Sequence, residues 1–161
     1  MLGHFYLDLY ARKHKKSHGS VTGLIRRSNL DGKYIPAAAV LNSGFSKGKG
    51  QTYQPTLLFK DVKTFFHEFG HLMHNLCSLA NYTALSGTKV ERDFVEMPSQ
   101  MLENWIWEES IMKRLSKHVE TGESLPTEII TNKINSQKVC QAYELMRQLQ
   151  IGTYDLLINS V

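Results

Sequence analysis

TFFHEFGHLMHNLC, residues 64–77, is the stretch whose reading decides the fold. Phe65, Phe66, Phe69, Leu72, Met73 and Leu76 recur at intervals of three and four, the period of a helix with one apolar face. Extended back to Val62 and on to Leu79, the pattern predicts a helix capped at its start by Asp61. On such a helix His67 and His71 share a face, about 6 Å apart along the axis. Two imidazoles so placed can converge on one tetrahedral zinc through bonds of about 2 Å. Glu68 projects about 100° round from His67, able to reach a water on that metal without ligating it. His67-Glu68-Phe69-Gly70-His71 is thus either a hydrolytic zinc site or a buried helix that happens to carry histidines, and the rest of the chain has to decide.

A catalytic zinc takes three protein ligands and keeps one open position. His74 shares the face, but it lies about 10.5 Å from His67 along the axis, too far to meet it at one ion on a straight helix. It is expected to pack or hydrogen-bond in the core. The third ligand is sought in SGTKVERDFVEMPSQMLENW, residues 86–105, which offers Glu91, Asp93 and Glu96. A second helix is predicted to start between residues 93 and 97 and to run through QMLENWIWEESIMKRLSK. Asp93-Phe94-Val95-Glu96 resembles a capping box, and Pro98 requires a start or kink close by. Met101, Leu102, Trp105 and Ile106 would pack this helix on the first. Spacing leaves the choice among the three acids open. Gly70 costs a helix about 1 kcal/mol against alanine; it reads either as a close approach of another backbone or as plain packing.

Upstream, residues 1–59 read as strands and loops. FYLDLYAR alternates Phe5, Leu7 and Leu9 with other residues, as a half-buried strand does. Asp31-Gly32 between two apolar runs is a hairpin signal, and GFSKGKGQTYQP, residues 44–55, reads as a loop rich in turn formers. Downstream, Gly122 ends the second helical region, Pro126 and Thr127 open a shorter helix, and a long one covers about 136–159. The expected architecture is mainly α with a small N-terminal β region, an α+β class: a hairpin and loop region over 1–59 and a helical region of four helices over 60–161.

The bulk properties agree with one ordinary globular domain: 161 residues, 42% hydrophobic and 21% charged. No run approaches the roughly 20 apolar residues of a membrane span, and the N-terminus lacks the basic-then-apolar order of a signal peptide. Cys77 and Cys140 each fall inside a predicted helix and read as reduced, buried thiols. The net charge is +4. Its local concentration, ARKHKKSHG over 11–19, reads as a solvated loop, with no nucleic-acid reading module beside it.

FHEFGHLMHNLC followed by SGTKVERDFVEMPSQMLENWIWE resembles the thimet oligopeptidase and neurolysin group of zinc oligopeptidases, family M3 metallopeptidases. LGHFYLDLYAR resembles the same group, so the likeness runs from about residue 2 to 150. The resemblance implies an HExxH zincin core, part of a larger, mostly helical two-domain enzyme, and implies that residues 1–161 are a partial catalytic domain. It makes Glu96 the third ligand, so that one Zn2+ per chain is held by His67, His71 and Glu96 with Glu68 as general base. Asp93 then becomes the helix cap and Glu91 a surface or supporting acid. Lys60 and Lys63 depart from the family, whose members often carry acids there. The implied activity is endopeptidase cleavage of short unstructured peptides by a monomer in the cytoplasm, with mitochondrial residence left open, and without nucleic-acid or membrane partners. Members take their oxyanion donors from a histidine and tyrosines in a downstream glycine-rich stretch, for which Tyr143 and Tyr154 are no match. The alternative reading is therefore a zinc-binding piece that lacks the groups to finish catalysis.

Overall fold

A computed structural model describes residues 2–30, 33–47 and 56–160. They form two compact units, residues 1–108 and 109–161.

The first unit is built on a three-stranded mixed sheet. β5 (Ala37–Phe45) is central, with β1 (Gly3–Tyr10) parallel on one side and β2 (Ser20–Ile25) antiparallel on the other. β5 is the most buried strand, and its alanines leave room for a helix to lie close. α1 (Phe59–Cys77) fills that room: Leu72 and Leu76 pack with Ala37, Ala39 and Leu41, flanked by Leu9, Val21, Phe65 and Phe69. The expected strand in FYLDLYAR is β1, but as an edge strand it leaves Phe5 and Leu7 about half exposed, at 47% and 48%. Phe5 still meets Phe69 edge-on. The expected hairpin is β3 (Ser28–Leu30) paired antiparallel with β4 (Lys33–Ile35). Its turn, Asp31-Gly32, lies outside the described residues, as does most of the 44–55 loop.

Three expectations about the helices need correction. Asp61 is not the N-cap of α1. That position is Leu58, and Asp61 stands a turn inside, where its carboxylate accepts the Leu58 N–H and favours the positive end of the helix. Leu79 lies past the end of α1 and is exposed. The second helix is three pieces: α2 (Met97–Glu103), a 3-10 turn Asn104–Trp107, and α3 (Glu109–Leu115) across a break at Glu108, whose backbone is extended. Before the break Ile106 is buried and Trp107 lies edge-on to Phe59, while Met101 and Trp105 stay more than half exposed. Ser99 meets α1 at Gly70 and Trp107 meets it at Phe59.

In the second unit, α3 is followed by α4 (Thr127–Ser136) and α5 (Gln141–Asn159). Gly122 sits in the intervening turn at φ +72°, as its place in the sequence predicts. The predicted long helix starts later than expected, because Cys140 takes a left-handed φ of 62° and separates α4 from α5. Counting α1 to α5, five helices stand among the described residues where four were expected. Both cysteines are exposed, contrary to the expectation of buried thiols: Cys77 ends α1 on its open side and Cys140 caps α5.

Candidate metal centre

The centre lies where α1 crosses α2, and the crossing is closer than side chains allow. A Cβ on Gly70 would stand 2.4 Å from the Cα of Ser99 and 2.6 Å from the carbonyl oxygen of Pro98. Of the two readings of Gly70, the close backbone approach is the correct one. Glu96 sits at the N-cap of α2, one residue before the helix, with Pro98 in the opening turn. Asp93 is no cap; the segment before Met97 is a run of turns, and Asp93 faces an open groove with Lys63, Arg92, Met97 and Glu103. Fully buried Ser99 reaches back with its hydroxyl to the Glu96 carbonyl at 2.8 Å and to Glu96 Oε2 at 3.0 Å.

The result is a convergence of three donor atoms. His67 Nε2 and His71 Nε2 each lie 3.2 Å from Glu96 Oε2. One ligand atom from each of these residues falls within 4.8 Å of the others. A tetrahedral zinc with bonds of about 2 Å has ligand–ligand edges of about 3.3 Å, which the two His–Glu96 distances match. Glu91 and Asp93 do not join the group, and neither does His74. His74 packs edge-on to Phe94, and its buried Nδ1 has no hydrogen-bond partner among the described residues. The packing half of its expected role holds, without the hydrogen bond.

The protonation states suit metal binding. Burial holds His71 below the ordinary imidazole value, so the ring is neutral near neutral pH, the form that ligates a metal. His67 is oriented by a residue that reading by spacing missed. Glu103 Oε1 lies 2.6 Å from His67 Nδ1, and Lys63 Nζ lies 2.9 Å from Glu103 Oε2. Burial alone would raise Glu103, but the hydrogen bonds from Lys63 and His67 outweigh it and hold the acid below its ordinary range. An ionised Glu103 only accepts, so His67 holds a proton on Nδ1 and turns Nε2 toward the centre. The signal for Glu103 was present in the sequence: it stands seven residues after Glu96, two turns on along the same face. Lys63, singled out as a departure in local charge, is the cation that completes this chain.

Glu68 is 8% exposed, and desolvation pushes its carboxyl above the ordinary value. Nearby Glu96 adds to that effect, while His67 and His18 oppose it. The sequence reading did not foresee the company of residues 11–19. Gly19 lies against the Glu68 carboxylate; the basic run is largely exposed, as a solvated loop is, but the Lys15 side chain is drawn in and only 8% exposed.

Two imidazoles one turn apart on a helix, joined by a carboxylate from the next helix, form a His–His–Glu group that could hold a metal ion, with a buried glutamate beside it. The chain belongs to Peptidase family M3, whose model matches residues 1–160. It is 43% identical to a thimet-like oligopeptidase of Dictyostelium discoideum, over 99% of this chain and 24% of that protein. It is 38% identical to oligopeptidase A of Haemophilus influenzae over 98% of the chain, and 36% identical to saccharolysin of Saccharomyces cerevisiae over 99%. The chain spans about a quarter of the length of these relatives, 22% to 24%. Among the described residues no helix is long and apolar enough to cross a membrane.

Proposed function

We propose that this chain is the zinc-binding core of a metalloendopeptidase that hydrolyses short, unstructured peptides. The observation that carries the reading is the meeting of His67 Nε2, His71 Nε2 and Glu96 Oε2 at tetrahedral spacing, with Glu68 next to the first of them. Zinc at that point would supply Lewis acidity, polarising a scissile carbonyl and acidifying a water. His67 is oriented by Glu103 at its Nδ1, which turns Nε2 toward the centre, and His71 is kept neutral by burial. Glu96 is kept in place by Ser99 and supplies the single negative charge of the ligand set. Glu68, with its proton affinity raised by burial, takes the proton of the attacking water and delivers it to the leaving amine. The open groove beside the centre, lined by Arg92, Met97, Gln100 and Met101, gives an extended peptide a path to it.

The test is cleavage of a quenched fluorescent peptide of about ten residues by the purified chain with zinc, with Glu68→Gln as the blank. Loss of at least about 100-fold in rate is expected, with zinc stoichiometry unchanged. A Glu68→Gln variant that still cleaves refutes the base, and one that loses zinc refutes the separation of base from ligands. The coverage of about a quarter of the relatives favours a second reading, in which the piece binds zinc but does not turn over. A folded, zinc-loaded chain with no cleavage selects it.

A further inference from the structure

The connection from β1 to β2, residues 11–19, is fastened at three points, and the last of them is the Glu68 carboxylate. At its start, Arg12 Nη1 donates to Asp8 Oδ1 at 2.6 Å. Lys15 Nζ, nearly buried, donates to the Asp8 carbonyl at 2.7 Å, to Asp8 Oδ1 at 2.9 Å and to the Tyr10 carbonyl at 3.0 Å. All three ammonium protons are thus spent on the end of β1. His14 makes the turn in the left-handed region at φ 65°, which histidine tolerates better than most residues. In the middle, the chain crosses β5 at Gly44, where a Cβ would stand 2.3 Å from the Ser17 carbonyl oxygen; only glycine admits that crossing. At its end, a Cβ on Gly19 would stand 2.7 Å from Glu68 Oε1 and 2.8 Å from its Cγ. Most of the loop is exposed, yet it carries a lysine side chain drawn inward, a glycine crossing and a glycine contact in sequence, which a loose loop does not need.

We propose that residues 11–19 form a strap that positions Glu68, with Gly19 as the stop against which its carboxylate rests. The proposal deepens the reading of Glu68 as general base and rests on it for its consequence in catalysis, though not for the contact itself. Gly19 touches neither metal nor substrate; it is a positioning residue. An alanine there meets the far end of a flexible side chain rather than backbone, so the fold tolerates Gly19→Ala while the carboxylate is driven off its position. Lys15→Met acts from the other end, releasing the strap without touching Glu68.

The experiment follows the side-chain carboxyl carbon of Glu68 by NMR in chain labelled with 13C-glutamate, the resonance being assigned by its loss in Glu68→Gln. The metal-free protein serves, so the result does not depend on zinc or on turnover. The Glu68 resonance is expected to shift in Gly19→Ala and in Lys15→Met, and to stay put in Lys13→Ala, an exposed position on the same strap. Zinc affinity in Gly19→Ala should stay within about twofold of the parent. In chain that cleaves peptide, kcat should fall about 100-fold, the cost of a misplacement near 1 Å, at unchanged KM. A Glu68 resonance that ignores both Gly19→Ala and Lys15→Met overturns the strap, as does one that moves equally in Lys13→Ala. If the resonance moves as expected while Glu68→Gln still cleaves, the strap stands and the base assignment falls.

Discussion

Replacing Gly70 by alanine sets two known effects against each other. Alanine at a helix interior position gains about 1 kcal/mol over glycine. Here the new methyl carbon would lie 2.4 Å from Ser99 Cα and 2.6 Å from Pro98 O, where carbon contacts prefer about 3.5–4 Å. Both obstructing atoms are backbone, so no rotamer change relieves them, and α1 and α2 must part by about 1 Å. Overpacking of this kind costs about 1–3 kcal/mol, and the backbone origin of the clash places it at the upper end. The net expectation is a loss of about 1–2 kcal/mol, or about 2–8 °C in Tm for a chain of this size. The same parting moves Glu96 away from His67 and His71, which now stand 3.2 Å from its oxygen. Zinc affinity should therefore fall about 10- to 100-fold, as when a group supporting a metal ligand is lost. Thermal unfolding and a chelator competition titration measure the two effects. A Gly70→Ala variant that melts at or above the parent temperature and binds zinc as tightly would refute the reasoning, since the helices would then have slack at their crossing.

Three further substitutions test the side chains around the centre. Glu103→Gln keeps the shape but removes the charge that fixes the His67 tautomer, so the zinc dissociation constant should rise about 10- to 100-fold. Lys63→Met, removing a half-exposed partner at 48%, should cost no more than about fivefold, the ceiling of a surface ion pair near 1 kcal/mol. Equal effects in a competition titration would mean that Lys63 rather than Glu103 orients the ring. His74→Phe tests the pH dependence of the metal-free fold. Burial holds His74 below its ordinary 6.5, so the folded chain keeps it neutral while the unfolded chain takes up a proton. The stability this contributes is present above pH 6.5 and is lost as pH falls through that value toward the lower folded one. His71 acts in the same direction, while Glu68, raised from 4.5, makes stability fall as pH rises above that value. Urea midpoints at about pH 7 and about pH 5 should differ less in His74→Phe than in the parent. An undiminished difference would show that His74 does not contribute to acid sensitivity.

The legibility of this chain in its sequence followed the range of each interaction. α1 could be read almost whole, because its signal is a local period in residues that face one sheet. Its cap was misread because Asp61 serves just as well from inside the first turn, where spacing gives no different sign. The second helical segment was legible in its start and its Glu96, through the second motif, but not in its break at Glu108. Just before that break Ile106 is buried and Trp107 meets Phe59 on α1, a tertiary demand that a continuous apolar pattern conceals. The centre divided the same way. His67 and His71 are a matter of four residues, whereas the choice of Glu96 over Glu91 and Asp93 needed resemblance before the structure brought its oxygen to the two imidazoles. Glu103 had a helical-face signal that lacked only a reason to look for it. The strap had none: a basic run with a glycine at its end reads as solvated loop until Gly44 and Glu68 are seen beneath it.

The spacing of the metal-binding atoms is set chiefly by contacts that neither titrate nor depend on a ligand. His67 and His71 are one turn of helix apart by construction of α1. Glu96 is held to them by the backbone-to-backbone meeting of Gly70 with Pro98 and Ser99, and by the buried Ser99 hydroxyl. Only the tautomer of His67 relies on charge, through Glu103. A centre assembled this way differs from small domains in which the metal supplies the folding energy. Its zinc affinity should be limited by how well α1 and α2 pack, and mutations at the crossing should move stability and metal binding together. Mutations at Glu103 should move metal binding nearly alone. That separation is a property of where the energy lies, and Gly70→Ala compared with Glu103→Gln measures it within one pair of proteins.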